Sequence, residues 1–496
     1  MTTQLNTNIS WWWQVVVFTI IVVILAISWL WSTTTSNGDG PPMPPLPPGP
    51  VHLPIIGYLP FLDRNLHTQF TDMARTYGPI FKVRVGSKLH IVINTPDLAR
   101  AVVRDQDETF ANRPLTVAAS ISTYGGQDIA WSNHNVSWRK LRKVFVHEVL
   151  SIKNLEACSG IRRDQVREMI KDIYGKIGTA LDLNEIFFST IAKVLTSMIW
   201  QNSLDEEGAD YGHLAGVERD IRKEANKLDG IITSVIEDRI KYNSKNNSHD
   251  DINDAVGKKD VLQVLLDLKD HATTSVDITI ADIKALLTVS FIYPHESSAM
   301  KSSFIANDIM VAGPEATTLL IQWTMVEIMQ NPEVMKKVQE ELAQVVGPSN
   351  IVEESHLSKL KYLDATIKET FRLHPVVPLL VPRSPSKTCT GSSILGKSLE
   401  FNPERFLAHE AVDKYDFSGN NLNFFPFGSG RRVCAGVPLA EKSQMLILAS
   451  LLHSFNWSLP KGEELDLSDI FCVTLRKRKP LVAIPSQRLP NTSLYM

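Results

Sequence analysis

The chain has 496 residues, 44% apolar and 21% charged, the balance of a folded globular protein and not of a disordered one. A formal net charge of −3 gives no global basic surface and points to no nucleic-acid partner. The four cysteines, Cys158, Cys389, Cys434 and Cys472, show no C-x-x-C spacing, which argues against a disulfide framework and a zinc site and for a reducing compartment.

Residues 1–10 form a short tail without Lys or Arg. Residues 11–31 read WWWQVVVFTIIVVILAISWLW with no charge, close to the ~20 residues of a transmembrane helix, and tryptophans stand at both ends as in an interfacial belt. A cleaved signal peptide would need a basic n-region, which is missing here. Residues 32–50 end in PPMPPLPPGP, a stiff extended hinge, and 51–496 read as one large domain. Within it, 80–85 and 89–94 alternate around Gly86-Ser87 and predict a hairpin. Helical periodicity predicts helices over 138–150, 164–177, 217–242, 332–346, 363–373 and 439–455. The polar run 243–259 predicts a surface loop. TVSFIYPHESSAMKSSFIAN, 288–307, shows no sustained amphipathic pattern and holds Pro294, which costs about 3 kcal/mol in a helix interior.

One cysteine stands apart. In FGSGRRVCAG, 427–436, Cys434 follows two arginines and is framed by glycines that permit positive φ and close backbone approach to a flat group. A buried structural cysteine is the ordinary reading of a lone thiol. Here nearby N–H donors, Arg432 and the N-terminus of the helix that follows favour a thiolate, and a thiolate beside a planar partner is the ligand arrangement of haem iron.

The same stretch matches F-x-x-G-x-R-x-C-x-G at Phe427, Gly430, Arg432, Cys434 and Gly436, and the chain thereby resembles the cytochrome P-450 superfamily in its plant-type, microsomal form. Glu369-Thr370-Phe371-Arg372 resembles the family's E-x-x-R helix, whose pair lies on one helix face. Pro403-Glu404-Arg405-Phe406 resembles the P-E-R-F element, whose arginine joins that pair. Trp138 to Arg142 resembles W-x-x-x-R, and Pro47-Pro48-Gly49-Pro50 resembles the proline hinge. The resemblance implies a mainly α fold with minor β, holding haem b between the oxygen-activating helix and the helix after the cysteine loop. Cys434 would be the metal ligand, with Arg432, Trp138, Arg142 and Arg383 toward the propionates and Phe427, Gly430 and Gly436 shaping the loop.

It also implies a single-pass N-terminal anchor in the endoplasmic reticulum membrane and a cytosolic catalytic domain. Electrons would come from NADPH through a flavoprotein reductase, docked on Arg139, Lys140, Arg142 and Lys143. A small lipophilic substrate, by preference a terpenoid of secondary metabolism, would lie between 115–124, 312–316, 376–381 and 471–475. Glu315 and Thr317 would be catalytic. The sequence departs from the family where Ala316 replaces the usual threonine of the oxygen-activating helix, where 288–307 interrupts that helix, and where the stretch from Glu369 to Pro403 is short. The principal expectation is a monooxygenase. The alternatives are an isomerase or dehydratase that uses no O2, and an impaired haem protein from an imperfect gene model.

Overall fold

The computed structural model describes residues 13, 15–20, 22–23, 45–200, 217–246, 260–270, 278–289, 313–386, 400–407, 415–471 and 474–496. They form two compact units that meet in sequence between Ala99 and Arg100, a boundary for which the sequence reading of one domain over 51–496 made no provision.

In the first unit, helix α1 (Leu66–Tyr77) precedes strands β1 (Ile80–Val85) and β2 (Lys88–Ile93). The strands pair antiparallel from Ile80↔Ile93 to Val85↔Lys88, so the expected hairpin forms with its second strand one residue earlier than predicted. Gly86 takes φ +58° in the two-residue turn, a conformation that glycine adopts without a Cβ clash. The end of the proline-rich stretch is no free linker: Lys82 N–H donates to Pro48 O at 2.8 Å and Tyr58 N–H to Arg84 O at 2.6 Å. A Cβ on Gly49 would stand 2.1 Å from Lys82 O, so only glycine fits between hinge and strand.

The second unit is mainly helical. In chain order it contains α2 (Val136–Val144), α3 (Ser159–Tyr174), β3 (Leu181–Asp182), α4 (Leu183–Trp200), α5 (Val217–Asn246), α6 (Val261–Asp270), α7 (Ile280–Val289), α8 (Pro314–Gln330), α9 (Pro332–Val345), α10 (Lys361–Leu373) and α11 (Val437–Ser454), followed by β4 (Phe455–Ser458), β5 (Asp469–Phe471), β6 (Leu475–Lys477) and β7 (Val482–Gln487). β7 lies between β3 and β4, and β5 pairs with β6, all antiparallel. α8 is apolar on nearly all sides and buried along its length, as a helix at the centre of a large core must be. Around it α3, α4, α9, α10 and α11 close the main apolar cluster.

All six helices predicted from periodicity are present with shifted ends; the first is an α-helix only to Val144 and continues as a π-turn, Phe145–Val149. The predicted surface loop from residue 243 begins inside α5, which runs to Asn246, and 247–259 lie outside the described residues. So do 290–312, most of the expected interruption, and 387–399 in the short stretch before Pro403. α8 begins at Pro314, with proline in its first turn, where a missing N–H costs nothing. Among the described residues no helix is long and apolar enough to cross a membrane. The expected anchor over 11–31 is described at 13, 15–20 and 22–23 alone, where it is helical and Trp13, Phe18 and Ile20 are exposed.

The Glu369 carboxylate is fully buried in α10. Arg372 grips it with Nε at 2.7 Å and Nη2 at 2.9 Å, and Arg405 Nε adds a third contact at 3.1 Å. Asn402 N–H donates to the same carboxylate at 2.7 Å, while Arg372 Nη2 reaches Glu400 O at 2.8 Å. This pins 400–406 to α10. One residue pair on, Phe371 meets Phe427 edge-on with centroids 5.2 Å apart, and Phe417 meets Phe427 at 5.3 Å. Glu369→Ala leaves two guanidiniums without their anion in a buried site, a loss on the order of 3–5 kcal/mol out of a typical ~5–15. Denaturant unfolding should show a collapse of the transition midpoint; a change under about 1 kcal/mol would mean that solvent already screens the cluster.

Candidate active site

The loop 427–436 is shaped by backbone constraints. Gly428 and Gly430 sit at φ +77° and +66°, and a Cβ on Gly430 would lie 2.2 Å from Val103 O and 2.9 Å from Asp107 Oδ1. A single 3-10 turn, Gly430–Arg432, follows. Cys434 N–H then donates to Phe427 O at 2.9 Å, closing the loop just before α11. Gly436 N–H points at Cys434 Sγ, 3.3 Å away. The cysteine keeps accessible surface, yet protein closes in on its sulfur from most directions. That burial pushes the thiol up, and the N–H groups of Gly436 and Val437 and the Arg142 guanidinium offset it only in part.

Burial works against the thiolate, and a bound cation would favour it. One expectation changes. The arginine that faces the sulfur is Arg142, whereas Arg432 turns away to donate to the carbonyls of Ala111, Ile129 and Ser132. Trp138 Nε1 donates to Ile129 O at 2.9 Å, with Arg432 over its ring at 4.3 Å and Arg142 at 5.7 Å. Arg142 Nη2 donates to Val433 O and Arg383 Nη2 to Ser429 O at 2.9 Å.

A fourth cation, Arg113, completes the set. It donates to Val381 O and Pro382 O and is pushed down to about 9 by burial and by Arg432 and Arg383; burial together with Arg383 and Arg142 lowers Arg432 to about 10. Four guanidiniums thus repel one another around one loop. Arg113 Nε, Arg383 Nη1 and His134 Nε2 are buried there without a hydrogen-bond partner. Such a cluster accepts a group carrying two carboxylates, and the glycine-framed thiol accepts its metal, so these residues fit an iron porphyrin with propionates. Arg113 escapes sequence reasoning because it stands alone in a loop and gains meaning only from Val381 and Pro382, far along the chain.

Glu315 and Thr317 fall in a separate group on α8. Glu315 accepts from Thr474 Oγ1 at 2.9 Å and pairs with Arg476, and Thr317 Oγ1 returns to Gly313 O at 3.1 Å. Thr318 Oγ1 is buried with no partner. Three of the four predicted lining segments are tied together by hydrogen bonds, Leu475 N–H donating to Val376 O at 2.8 Å and Thr474 to Glu315. Arg113, two residues before the fourth, reaches Val381. Trp323 fixes the base of the β5–β6 hairpin through Nε1 to Leu475 O at 3.1 Å and stacks on His374 at 4.0 Å.

The sequence profile described as Cytochrome P450 matches residues 47–391 and 396–483. Curated relatives include cytochrome P450 84A1 of Arabidopsis thaliana, 31% identical over 90% of this chain and 92% of that protein. Premnaspirodiene oxygenase of Hyoscyamus muticus is 32% identical over 90% and 93%. Flavonoid 3',5'-hydroxylase of Campanula medium is 27% identical over 90% and 92%. A solved zebra fish cytochrome P450 with progesterone superposes with TM-score 0.66 at 22% identity, covering 85% of this chain and 99% of that one, and shares the fold. The chain belongs to the cytochrome P450 family. It is a haem-thiolate monooxygenase with haem b as cofactor and electrons supplied by a redox partner.

The buried Asp128 beside this cluster yields a pH test. Desolvation raises its carboxyl from 3.8 to about 6 against four backbone N–H groups, Trp131 first among them. The folded chain therefore holds this proton more tightly than the unfolded one. Stability falls as pH rises from the unfolded value through the folded one, by on the order of 3 kcal/mol. Asp128→Asn keeps an oxygen for the Trp131 N–H, 2.8 Å away, and should gain on the parent chain between about pH 4 and 7 in urea unfolding. Parallel pH profiles for the two chains would show that Asp128 titrates normally.

Proposed function

We propose that Cys434 would be the thiolate that holds the haem and that Arg113, Arg142, Arg383 and Arg432 would take up its propionates. The observation that carries this reading is the conjunction of a Gly436 N–H aimed at Cys434 Sγ with four buried or half-buried, mutually repelling guanidiniums around the same loop. Bound there, the haem supplies activation of dioxygen and delivery of one oxygen atom to substrate, which a thiolate ligand promotes by donating electron density. The Gly436 N–H and the Arg142 charge stabilise that thiolate. Glu315 is oriented by Thr474 and Arg476. Ala316 offers no hydroxyl; Thr317 donates to Gly313 O and keeps its lone pairs, and the Thr318 hydroxyl is unpartnered, so these two hydroxyls are the ones with capacity to hold a water for proton delivery.

The substrate is a small lipophilic molecule, in keeping with relatives named for premnaspirodiene and flavonoid, and a terpenoid is the preferred class. Electrons come from an NADPH-dependent flavoprotein reductase. Its basic contact reduces to the exposed Arg139 and Lys143 with the half-buried Lys140, because Arg142 is engaged inside the site. Residues 11–31 anchor the chain in the endoplasmic reticulum membrane with the catalytic part in the cytosol. The exposed side chains of Leu46, Val51, Ile55 and Phe61 in the first unit also suit a lipid surface.

Replacing Cys434 by serine should abolish the red-shifted band of the reduced carbon-monoxide complex, since a hydroxyl donates too little charge to iron to produce it. A serine variant that retains the band would assign the ligand elsewhere. Deletion of residues 2–31 should move most of the protein from the membrane pellet to the supernatant in cell fractionation, because the long uncharged stretch is there. Retention in the pellet after a carbonate wash would refute residues 11–31 as the principal anchor.

A further inference from the structure

We propose that Asp107 is a positioning residue for the haem-thiolate centre, its carboxylate fixing both the loop that carries Cys434 and the Arg383 guanidinium. The inference rests on the haem-thiolate reading above. Asp107 lies just beyond the π-turn Ala101–Asp105 and its side chain is 17% exposed. Both of its oxygens accept the Arg431 N–H, at 3.2 and 3.1 Å, and Oδ2 lies 3.3 Å from Arg431 Nε. Oδ1 lies 3.6 Å from Arg383 Nη1, close enough to attract the cation and too far for a hydrogen bond.

The two side chains hold the loop on either side of Gly430. Arg383 Nη2 holds Ser429 O at 2.9 Å, Asp107 holds the Arg431 amide, and Gly430 between them has no room for a Cβ against Val103 O and Asp107 Oδ1. From the other side Cys434 N–H closes on Phe427 O. Position 431 is three residues before the thiol, so a shift of its amide is passed on to Sγ. Because Arg383 Nη1 is attracted by Asp107 without being hydrogen-bonded, it keeps a proton to give to another acceptor. Among the described residues Asp107 is the carboxylate that pairs with Arg383, and its negative charge tempers the repulsion among the arginines. Asp107 therefore acts on the centre in two ways, by geometry through Arg431 and by charge through Arg383.

Asp107→Asn separates these effects from simple folding, since it keeps the size and one accepting oxygen and loses the charge; Asp107→Ala loses both. The full-length holoprotein is used, with haem content, thermal midpoint, ferric–ferrous potential and the reduced carbon-monoxide spectrum measured for each variant. The asparagine variant should bind haem and melt like the parent. Its potential should shift to more positive values, because a negative charge near the iron has gone. Its thiolate-type band should decay to the thiol-type band roughly ten times faster, the low end of what loss of an outer partner does to a metal ligand. Asp107→Glu should restore the potential in part. An asparagine variant with the parent's potential and band lifetime overturns the proposal, whether or not the alanine variant folds. A parent chain that shows no thiolate-type band overturns the haem-thiolate reading instead, which is a different result.

Discussion

One buried carboxylate holds the proximal half of the molecule together. Glu369 lies at the end of a core helix with no access to water, and an anion in that position is tolerable only while cations and N–H groups surround it. Arg372, Arg405 and the Asn402 amide do so from two different stretches of chain. The consequence reaches beyond the triad. Phe371, two residues from Glu369, leans on Phe417 and Phe427, and Phe427 is the residue whose carbonyl receives the Cys434 amide. A charge cluster and an aromatic cluster thus lead to the residue on which the thiol's loop closes.

On the other side of the loop the protein does the reverse and leaves charge unbalanced. Arg113, Arg142, Arg383 and Arg432 are buried or half-buried, and Asp107 and Asp128 are the acids that act on them. Carbonyl groups absorb much of the hydrogen bonding, but carbonyls carry no net charge. Such a site is costly until a dianion arrives, and the fold and its prosthetic group then stabilise one another by mass action. The raised Cys434 thiol follows the same logic, because the apoprotein spends nothing on a bare thiolate and the metal induces it on binding.

Much of the site was legible in the sequence. The cysteine loop, the Glu369–Arg372 pair and Arg405 are short-range patterns whose spacing and residue type carry their meaning, and the hairpin 80–93 and six helices follow from periodicity. What sequence could not show has a common physical cause. α8 is buried on nearly all sides, so it displays no single apolar face to detect. Arg113 and Asp107 acquire their roles through contacts with residues hundreds of positions away. The direction in which Arg432 and Arg142 point is a matter of rotamer and packing; the family resemblance implied both toward the propionates, and nearness in sequence assigned Arg432, not Arg142, to the sulfur. Glu315 was seen as an acid on the oxygen-activating helix, but its engagement with Arg476 belongs to a hairpin that pattern reading placed only as a pocket wall.

The Arg431 N–H on the Asp107 carboxylate joins segments 324 residues apart. A ribosome adding about 5–20 residues per second needs roughly 15 to 65 s to bridge that interval. During that time the arginine at 113 and the turn at 101–107 are already made, while the thiol and its glycines do not yet exist. Cofactor capture is therefore an event of completed or nearly completed chains. A nascent polypeptide of this kind must be kept from aggregating through nearly its whole synthesis, with its most positively charged interior still waiting for both the loop and the anion that it was built to meet.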